Sequence, residues 1–254
     1  MVIIMRKFLF LCVMMLWSGC AFAASYAMID KYALNAPQVK SEKEIDALME
    51  YLVKPFHNDI EKARAIFAWI VYNIDYDEYR AGLMKNPHLR QRLSQLPTPE
   101  HILKTRLGVC EDIANLYQEL AAKAGLNVQA VDGWTNTDPR MLKKAEIGHR
   151  WLVINVAGSW EYLDPTWAMG QTSRGVFSDV SGNGRYKTEI FKRIKSKKNY
   201  EPRSERRVYD TWFLTDKDEM IKTHFPMQEQ WQLQKDKVTR EEFFGQKSKK
   251  GKKK

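Results

Sequence analysis

Cysteine is scarce in this chain of 254 residues, which contains three cysteines, and beyond residue 24 only Cys110 is left. The sequence also lacks a His-Glu-x-x-His motif, a Cys-x-x-Cys pair and a glycine-rich phosphate loop. These absences argue against a zinc centre and a nucleotide site, so we predict no metal and no cofactor. A single thiol has no disulfide partner, so Cys110 is either a small buried hydrophobe or a reactive group.

No apolar run in the sequence reaches the roughly 20 residues that a membrane-spanning helix needs. Residues 1–23 resemble an export signal: Arg6-Lys7 precedes an apolar run from Phe8 to Trp17. Small residues at 21 and 23 suit an export peptidase. Alternatively, Ser18-Gly19-Cys20 resembles the end of a bacterial lipoprotein signal, in which Cys20 would be acylated. We therefore expect an exported, periplasmic or extracellular protein, either soluble or anchored through Cys20.

The positive charge of the chain is concentrated at its two ends. The net charge is +10, but six lysines lie between Lys247 and Lys254, and Arg6 and Lys7 add two more positive charges. The body of the chain is therefore nearly neutral, and we predict no specific nucleic-acid partner. We expect residues 241–254 to form a disordered tail that offers at most a weak contact to an anionic surface.

The sequence changes from helical to strand periodicity, which predicts an α+β fold. One helical pattern starts with a capping box at Ser41, and a second starts at Asn58 and repeats apolar residues at helical spacing. A third helix should begin at or next to Cys110, with Gly125 as its C-cap. Strand-like runs follow at 127–134, 150–156 and 160–163, with a hairpin turn at Gly158-Ser159. Helices followed by antiparallel strands indicate α+β rather than alternating βαβ units.

Changes in composition along the chain divide it into five parts. With 44% hydrophobic and 12% aromatic residues, the chain has enough apolar side chains to form a core. We expect residues 25–40 to be extended or loosely ordered. The aromatic-rich segments near Trp212 and Phe225 should return to pack on the core. The parts are a signal at 1–23, a helical part at 24–96, the core at 97–170, a C-terminal extension at 171–240 and the tail at 241–254.

Cys110 has the position of a catalytic nucleophile at a helix start. A free thiol with a pKa of ~8.5 is mostly protonated at neutral pH, and a helix N-terminus or a neighbouring imidazolium lowers that pKa. Backbone N–H groups at the helix start could also stabilise an oxyanion. Glu111 and Asp112 would oppose the thiolate if they pointed at it; they could instead cap the helix or face solvent.

His149 and Asp164 are candidates for the partners of this thiol. They should lie at the same end of two antiparallel strands joined by the turn near Gly158, where an aspartate could orient a histidine. Spacing alone makes this arrangement only plausible, because a histidine is more often structural. The remaining histidines are interpreted as surface residues at His57, His88 and His101, and as a structural hydrogen-bonding residue at His224.

Three ordered motifs resemble those of the transglutaminase-like superfamily. The motifs are Gly108-Val109-Cys110, Gly148-His149-Arg150-Trp151 and Asp164-Pro165-Thr166-Trp167. The helix around residues 62–70 is similar to the one that precedes the cysteine in that superfamily, so the resemblance covers about 58–168. Residues 223–226 and 231–233 are similar to a C-terminal extension of its kyphoscoliosis-peptidase-like branch.

The resemblance implies a papain-like core, with N-terminal helices packed on an antiparallel sheet, and acyl transfer through a thioester. It implies Cys110 as nucleophile, His149 as general acid and base, and Asp164 as the residue that orients His149. Trp151 and Trp167 should pack around the site. We expect hydrolysis of a peptide or amide in a protein or peptide substrate. The alternatives are protein cross-linking by transamidation and a non-catalytic binding or scaffold module.

Overall fold

Helices occupy the first half of the fold and antiparallel strands most of the second, so the predicted α+β class is confirmed. The computed structural model describes residues 26–39, 41–84, 86, 88, 98–136, 148–169 and 208–250. The helices are α1 (26–34), α2 (Ile45–Val53), α3 (Asp59–Asn73), α4 (Glu78–Leu83), α5 (Pro99–Thr105), α6 (Cys110–Lys123), α7 (Pro165–Ala168), α8 (Lys217–Met220) and α9 (Arg240–Lys250). The strands are β1 (Asp75–Tyr76), β2 (Leu107–Gly108), β3 (Val128–Thr135), β4 (His149–Val156), β5 (Ser159–Leu163), β6 (Phe213–Thr215) and β7 (His224–Pro226).

Five strands form one antiparallel sheet in the order β6-β5-β4-β3-β7, and β1 and β2 form a separate parallel pair. In the large sheet, Gly133 of β3 lies opposite His149 of β4 on one side and Pro226 of β7 on the other. A Cβ at Gly133 would lie 2.2 Å from the carbonyl oxygen of Phe225. Glycine at this position therefore lets β7 approach, and it brings the chain near residue 224 to the end of the sheet that carries His149.

Helix α3 lies at the centre of the fold, and its start has the predicted cap. The side chain of Asn58 accepts a hydrogen bond from the backbone N–H of Glu61 at 2.9 Å. Every residue from 63 to 73 is buried, including Trp69, so this helix is enclosed on all sides. Each fully buried large apolar side chain contributes about 1.5–3 kcal/mol. Helix α3 contacts α6, and α6 in turn packs on β3 and β4. The helix that starts at Cys110 is thereby fixed between the helical layer and the sheet.

Residues 25–40 were expected to be extended or loosely ordered, and this expectation is wrong for 26–34, which form helix α1. The reason is a distant partner. The fully buried guanidinium of Arg64 donates to both carboxylate oxygens of Asp30, at 2.7 and 2.6 Å, and to Asp210 at 2.6 Å. This ion pair joins α1 and the C-terminal segment to α3, and Ile29 and Ala33 bury the apolar side of the short helix.

The tail predicted as disordered from residue 241 is helical as far as Lys250, so the prediction is wrong for that part. Thr239 and Glu242 form a capping box: the Thr239 backbone N–H donates to Glu242 Oε2 at 2.8 Å, and the Glu242 N–H donates to Thr239 Oγ1 at 3.2 Å. Phe243 and Phe244 are buried in a cluster with Phe225 and Trp134. Their burial ties α9 to strand β7.

Several predictions concern residues outside the described part of the chain. They include the export signal, the acylation site at Cys20, most of the polar segment from 170 to 209 and residues 251–254. Within the part that is described, no helix combines the length and apolar character needed to cross a membrane.

Candidate active site

Cys110 is the first residue of α6, a helix of 14 residues, and its side chain is partly exposed. The parallel pairing of Tyr76 with Gly108 fixes the chain just before it, and the Asp77 N–H donates to the Gly108 carbonyl at 2.9 Å. The first N–H groups of a helix have no partners within the helix. Cys110 therefore lies beside backbone donors and the positive end of a helix dipole, and both favour an anion at this position.

Both acidic residues after Cys110 are paired with arginines. Arg150 Nη1 is 3.0 Å from Glu111 Oε1. The Asp112 carboxylate pairs with Arg80 and accepts the Val109 N–H at 2.8 Å. Burial raises the pKa of both carboxyls, while Arg150 lowers that of Glu111, and the Val109 N–H and Arg80 lower that of Asp112. Asp112 thus caps the helix, and the negative charges next to the thiol are compensated.

His149 and Asp164 form a short, buried hydrogen bond. His149 begins β4 and Asp164 directly follows β5, and the pairing of these two strands brings the side chains together. His149 Nε2 is 2.7 Å from Asp164 Oδ2, and Asp164 is completely buried. The other carboxylate oxygen, Oδ1, accepts the backbone N–H of Trp167 at 2.9 Å. The carboxylate is therefore held by the start of α7 as well as by the imidazole.

Cys110 lies close enough to the same imidazole for its side chain and its charge to act on the pKa of His149. Because Nε2 of His149 is occupied by Asp164, Nδ1 is the nitrogen left for the thiol. Burial lowers the pKa of His149, but the Asp164 charge, its hydrogen bond and Cys110 outweigh burial and raise the pKa to about 10. For Asp164, burial raises the pKa, and the two histidines outweigh it and lower the pKa below its usual range. The arrangement favours an imidazolium paired with a carboxylate.

His224 also belongs to the cluster of Cys110, His149 and Asp164, and the sequence analysis did not predict this. Its Nε2 is 3.1 Å from Asp164 Oδ2, and Thr223 Oγ1 is 2.7 Å from its Nδ1. The residue is buried and hydrogen-bonded, which confirms the structural interpretation of this histidine, but its partner is the Asp164 carboxylate. Burial lowers the pKa of His224 to about 4, despite the attraction of Asp164.

Tryptophans enclose the imidazoles, as predicted for Trp151 and Trp167. The ring centroids of these two residues are 6.0 and 5.9 Å from that of His149, and Trp151 is stacked on it. Trp212, which the sequence placed only in the core, contacts both Trp167 and His224, at 4.8 and 5.5 Å. The indole rings keep water from the His149–Asp164 bond, which strengthens the interaction between the charges.

His149, Asp164 and His224 are also the residues, within the described part of the chain, that could together offer ligands to a metal ion. Their candidate ligand atoms lie within 4.8 Å of one another. Both Nε2 atoms already bond the same carboxylate oxygen, so an ion would have to replace these hydrogen bonds. The three remaining histidines are exposed, as predicted: His57, His88 and His101.

The family model of the transglutaminase-like superfamily matches residues 46–165, the stretch that runs from α2 past Asp164. The chain therefore contains a transglutaminase-like domain, as its motifs indicated. The match includes Cys110, His149 and Asp164, which the structure brings together. Their catalytic roles stay predictions.

Two curated relatives are similar over most of this chain. Kyphoscoliosis peptidase of Homo sapiens is 26% identical over 210 residues, which cover 81% of this chain and 27% of that protein. Hillarin of Drosophila melanogaster is 27% identical over 220 residues, which cover 85% of this chain and 24% of that protein. The chain thus spans about a quarter of the length of these relatives. A solved structure described as a TGase is 12% identical with a TM-score of 0.39, covering 65% of this chain and 37% of that one.

Proposed function

We propose that this chain is a cysteine enzyme that transfers acyl groups through a thioester on Cys110. The observation that carries the proposal is the order of contacts from Asp164 through His149 to the thiol, which begins with the 2.7 Å bond between carboxylate and imidazole. A nucleophile, a base in contact with it and a third group that orients the base are the parts that thiol acyl transfer requires.

In the first half of the reaction, the Cys110 thiolate would attack the carbonyl carbon of a peptide or carboxamide. The carbonyl electron pair moves to oxygen, where N–H groups at the start of α6 can stabilise it. The imidazolium of His149 then gives its proton to the leaving nitrogen as the C–N bond breaks. An amine or ammonia leaves, the acyl group remains as a thioester on Sγ, and Asp164 keeps the imidazole in position.

In the second half, neutral His149 would take a proton from water as the water oxygen attacks the thioester carbonyl. The C–S bond breaks, a carboxylic acid leaves, and the thiolate–imidazolium pair is restored. An amine in place of water would give a new amide, which is the outcome in a cross-linking enzyme. We favour hydrolysis because water is the default acceptor, and because we identify no group in the described part of the site that would guide an amine.

The substrate class that we propose is a protein or peptide, and one of the two relatives described above is named a peptidase. We further propose that the protein acts outside the cytoplasm, on the basis of the signal-like residues 1–23, with anchoring through Cys20 as the alternative to soluble export. A weak contact between the lysine-rich end and an anionic surface remains part of the proposal.

One experiment separates the possible activities. A protein substrate is incubated with the enzyme and a fluorescent primary amine, and mass spectrometry looks for new N-termini and for amine attached to the substrate. We expect new N-termini without amine incorporation, and no products with Cys110→Ser. Amine incorporation would indicate cross-linking instead. The absence of both products with a folded wild-type protein, across several protein substrates, would favour the non-catalytic module.

The role of His149 is tested in the same assay with a matched pair of variants. His149→Ala should lose the products, whereas His57→Ala removes an exposed histidine and should keep them. Circular dichroism confirms that both variants are folded. Equal activity of the two variants would contradict the assignment of His149 as the general acid and base.

A further inference from the structure

Asp164 is shared by two buried imidazoles. His149 Nε2 and His224 Nε2 lie 2.7 and 3.1 Å from the same oxygen, Oδ2, and the two rings come from β4 and β7, on either side of β3. We propose that His224 is a positioning residue that holds the Asp164 carboxylate against His149 and so sets the reactivity of Cys110. This inference rests on the proposed function, and it adds a fourth residue to the reactive group.

The direction of each hydrogen bond follows from the groups present. An ionised carboxylate can only accept, so Nε2 of His224 must carry its proton and donate it to Oδ2. A neutral imidazole then has a free lone pair on Nδ1, which accepts from the hydroxyl of Thr223 at 2.7 Å. The alternative partner of this hydroxyl, the Met220 carbonyl, is farther away at 3.2 Å. Thr223 therefore fixes the tautomer in which His224 donates to Asp164.

Packing makes His224 a rigid support. The residue is 1% exposed, and three indoles surround its ring, with centroid distances of 4.2 Å to Trp167, 5.1 Å to Trp151 and 5.5 Å to Trp212. The backbone of His224 lies opposite Thr135 in the sheet. A donor held in this way fixes the rotation of the carboxylate that it binds.

The charge balance explains why a neutral donor suits this position. The titratable groups that act on His224 are Asp164 and His149, and those that act on His149 are Asp164 and Cys110. A second cation beside the His149 imidazolium would repel it, whereas a neutral N–H holds Oδ2 without that repulsion. Because Nε2 of His224 contacts the carboxylate, the residue acts through Asp164 and is not itself a second base.

The test compares His224→Gln with His224→Leu. The side-chain nitrogen of glutamine reaches about as far as Nε2 of histidine and can donate to Asp164, whereas leucine fills much of the volume without a donor. In His224→Leu we expect Cys110 to react with iodoacetamide at least about tenfold more slowly at pH 7. The upper limb of its pH–rate profile, which is the transition at which the His149 imidazolium loses its proton, should also move to lower pH. The reason is that a displaced Asp164 no longer stabilises that imidazolium. His224→Gln should recover most of both effects.

Two controls separate positioning from a general loss of structure. Phe225→Leu removes packing from the next residue of the same strand and should leave the pH profile unchanged. Thr223→Val should shift the upper limb in the same direction as His224→Leu, and Thr223→Ser, which keeps the hydroxyl, should not. An unchanged profile in a folded His224→Leu variant, or a shift of its upper limb to higher pH, would overturn the proposal.

The structure of the His224→Leu variant tests the inference separately from the proposed activity. We expect the distance between His149 Nε2 and Asp164 Oδ2 to lengthen or the carboxylate to rotate away. A bond that stays at 2.7 Å in the variant would refute the positioning role even if the protein catalyses no reaction. If Cys110 of the wild type has ordinary reactivity but the carboxylate rotates in the variant, the proposed function fails and the positioning role stands.

Discussion

Arg150 pairs with Glu111 across the start of helix α6, with 3.0 Å between Nη1 and Oε1. The same guanidinium binds both carboxylate oxygens of Asp132 on β3, at 2.7 and 2.8 Å. Arg150 follows His149 in β4, so the strand that supplies the imidazole also supplies the cation that compensates the acidic neighbour of Cys110. The sequence left open whether the negative charge of Glu111 would oppose a thiolate at Cys110. The ion pair with Arg150 compensates that charge.

Removing that cation should make Cys110 less reactive. In Arg150→Gln the Glu111 charge is left uncompensated beside the thiol, and the alkylation rate at pH 7 should fall about two- to fivefold, the effect of a partly exposed ion pair. The double variant Arg150→Gln/Glu111→Gln should recover it. Lys123→Gln is the matched control, because it breaks an ion pair with Asp46 at the other end of the same helix. An equal loss in Lys123→Gln would contradict a local charge effect.

The ion pair of Arg64 should contribute strongly to stability through one partner and weakly through the other. Asp30 is 14% exposed at its side chain and Asp210 is 56% exposed, while Arg64 is fully buried. Asp30→Ala should lower the free energy of unfolding by about 3 kcal/mol, because it leaves a buried charge poorly compensated. Asp210→Ala should cost less than about 1 kcal/mol. Urea unfolding measures both, and equal losses would show that α1 is not held in this way.

The histidines of the site should give the protein opposite pH dependences in its stability. The pKa of His149 is raised to about 10, so its contribution is complete below the unfolded value of ~6.5 and is lost as pH rises toward 10. The pKa of His224 is lowered to about 4, so the unfolded state binds its proton first and stability is lost as pH falls from ~6.5 to 4.

This difference can be measured with His224→Gln, which cannot take up that proton. The gap in Tm between wild type and variant should be smaller at pH 5 than at pH 7, because acidification penalises only the wild type. His57→Gln, at an exposed position, should show a constant gap. A gap that widens at pH 5 would mean that His224 is charged in the folded protein.

The sequence predicted the parts of the fold that depend on local signals. Asn58 and Cys110 lie at helix starts as expected. The hairpin turn lies one residue earlier than predicted, at Ala157 and Gly158, both with positive φ, and Ser159 already belongs to β5. Helix α1 was missed because its main support, the pair between Asp30 and Arg64, joins residues 34 positions apart. The tail was predicted as disordered from its lysine-rich composition alone, and the capping box formed by Thr239 and Glu242 was not considered.

The candidate site followed the same pattern. The resemblance of the three ordered motifs to those of the transglutaminase-like superfamily was enough to predict which three residues would meet. His224 is 60 residues from Asp164, and only the pairing of β7 with β3 brings it to the carboxylate. No local pattern reports such a pairing. The partner of Glu111 was hidden for the same reason, since Arg150 lies 39 residues later and on a different element.

The pH dependence of Cys110 alkylation tests the central claim most directly. The rate with iodoacetamide is measured from pH 4 to 10 in the wild type, in His149→Ala and in the control His57→Ala. We predict that the wild type and His57→Ala react well below the pH of an ordinary thiol, whose pKa is ~8.5, and that His149→Ala loses this advantage. A wild-type profile with one transition near ~8.5, unchanged by His149→Ala, would contradict the assignment of Cys110 and His149 as a reactive pair.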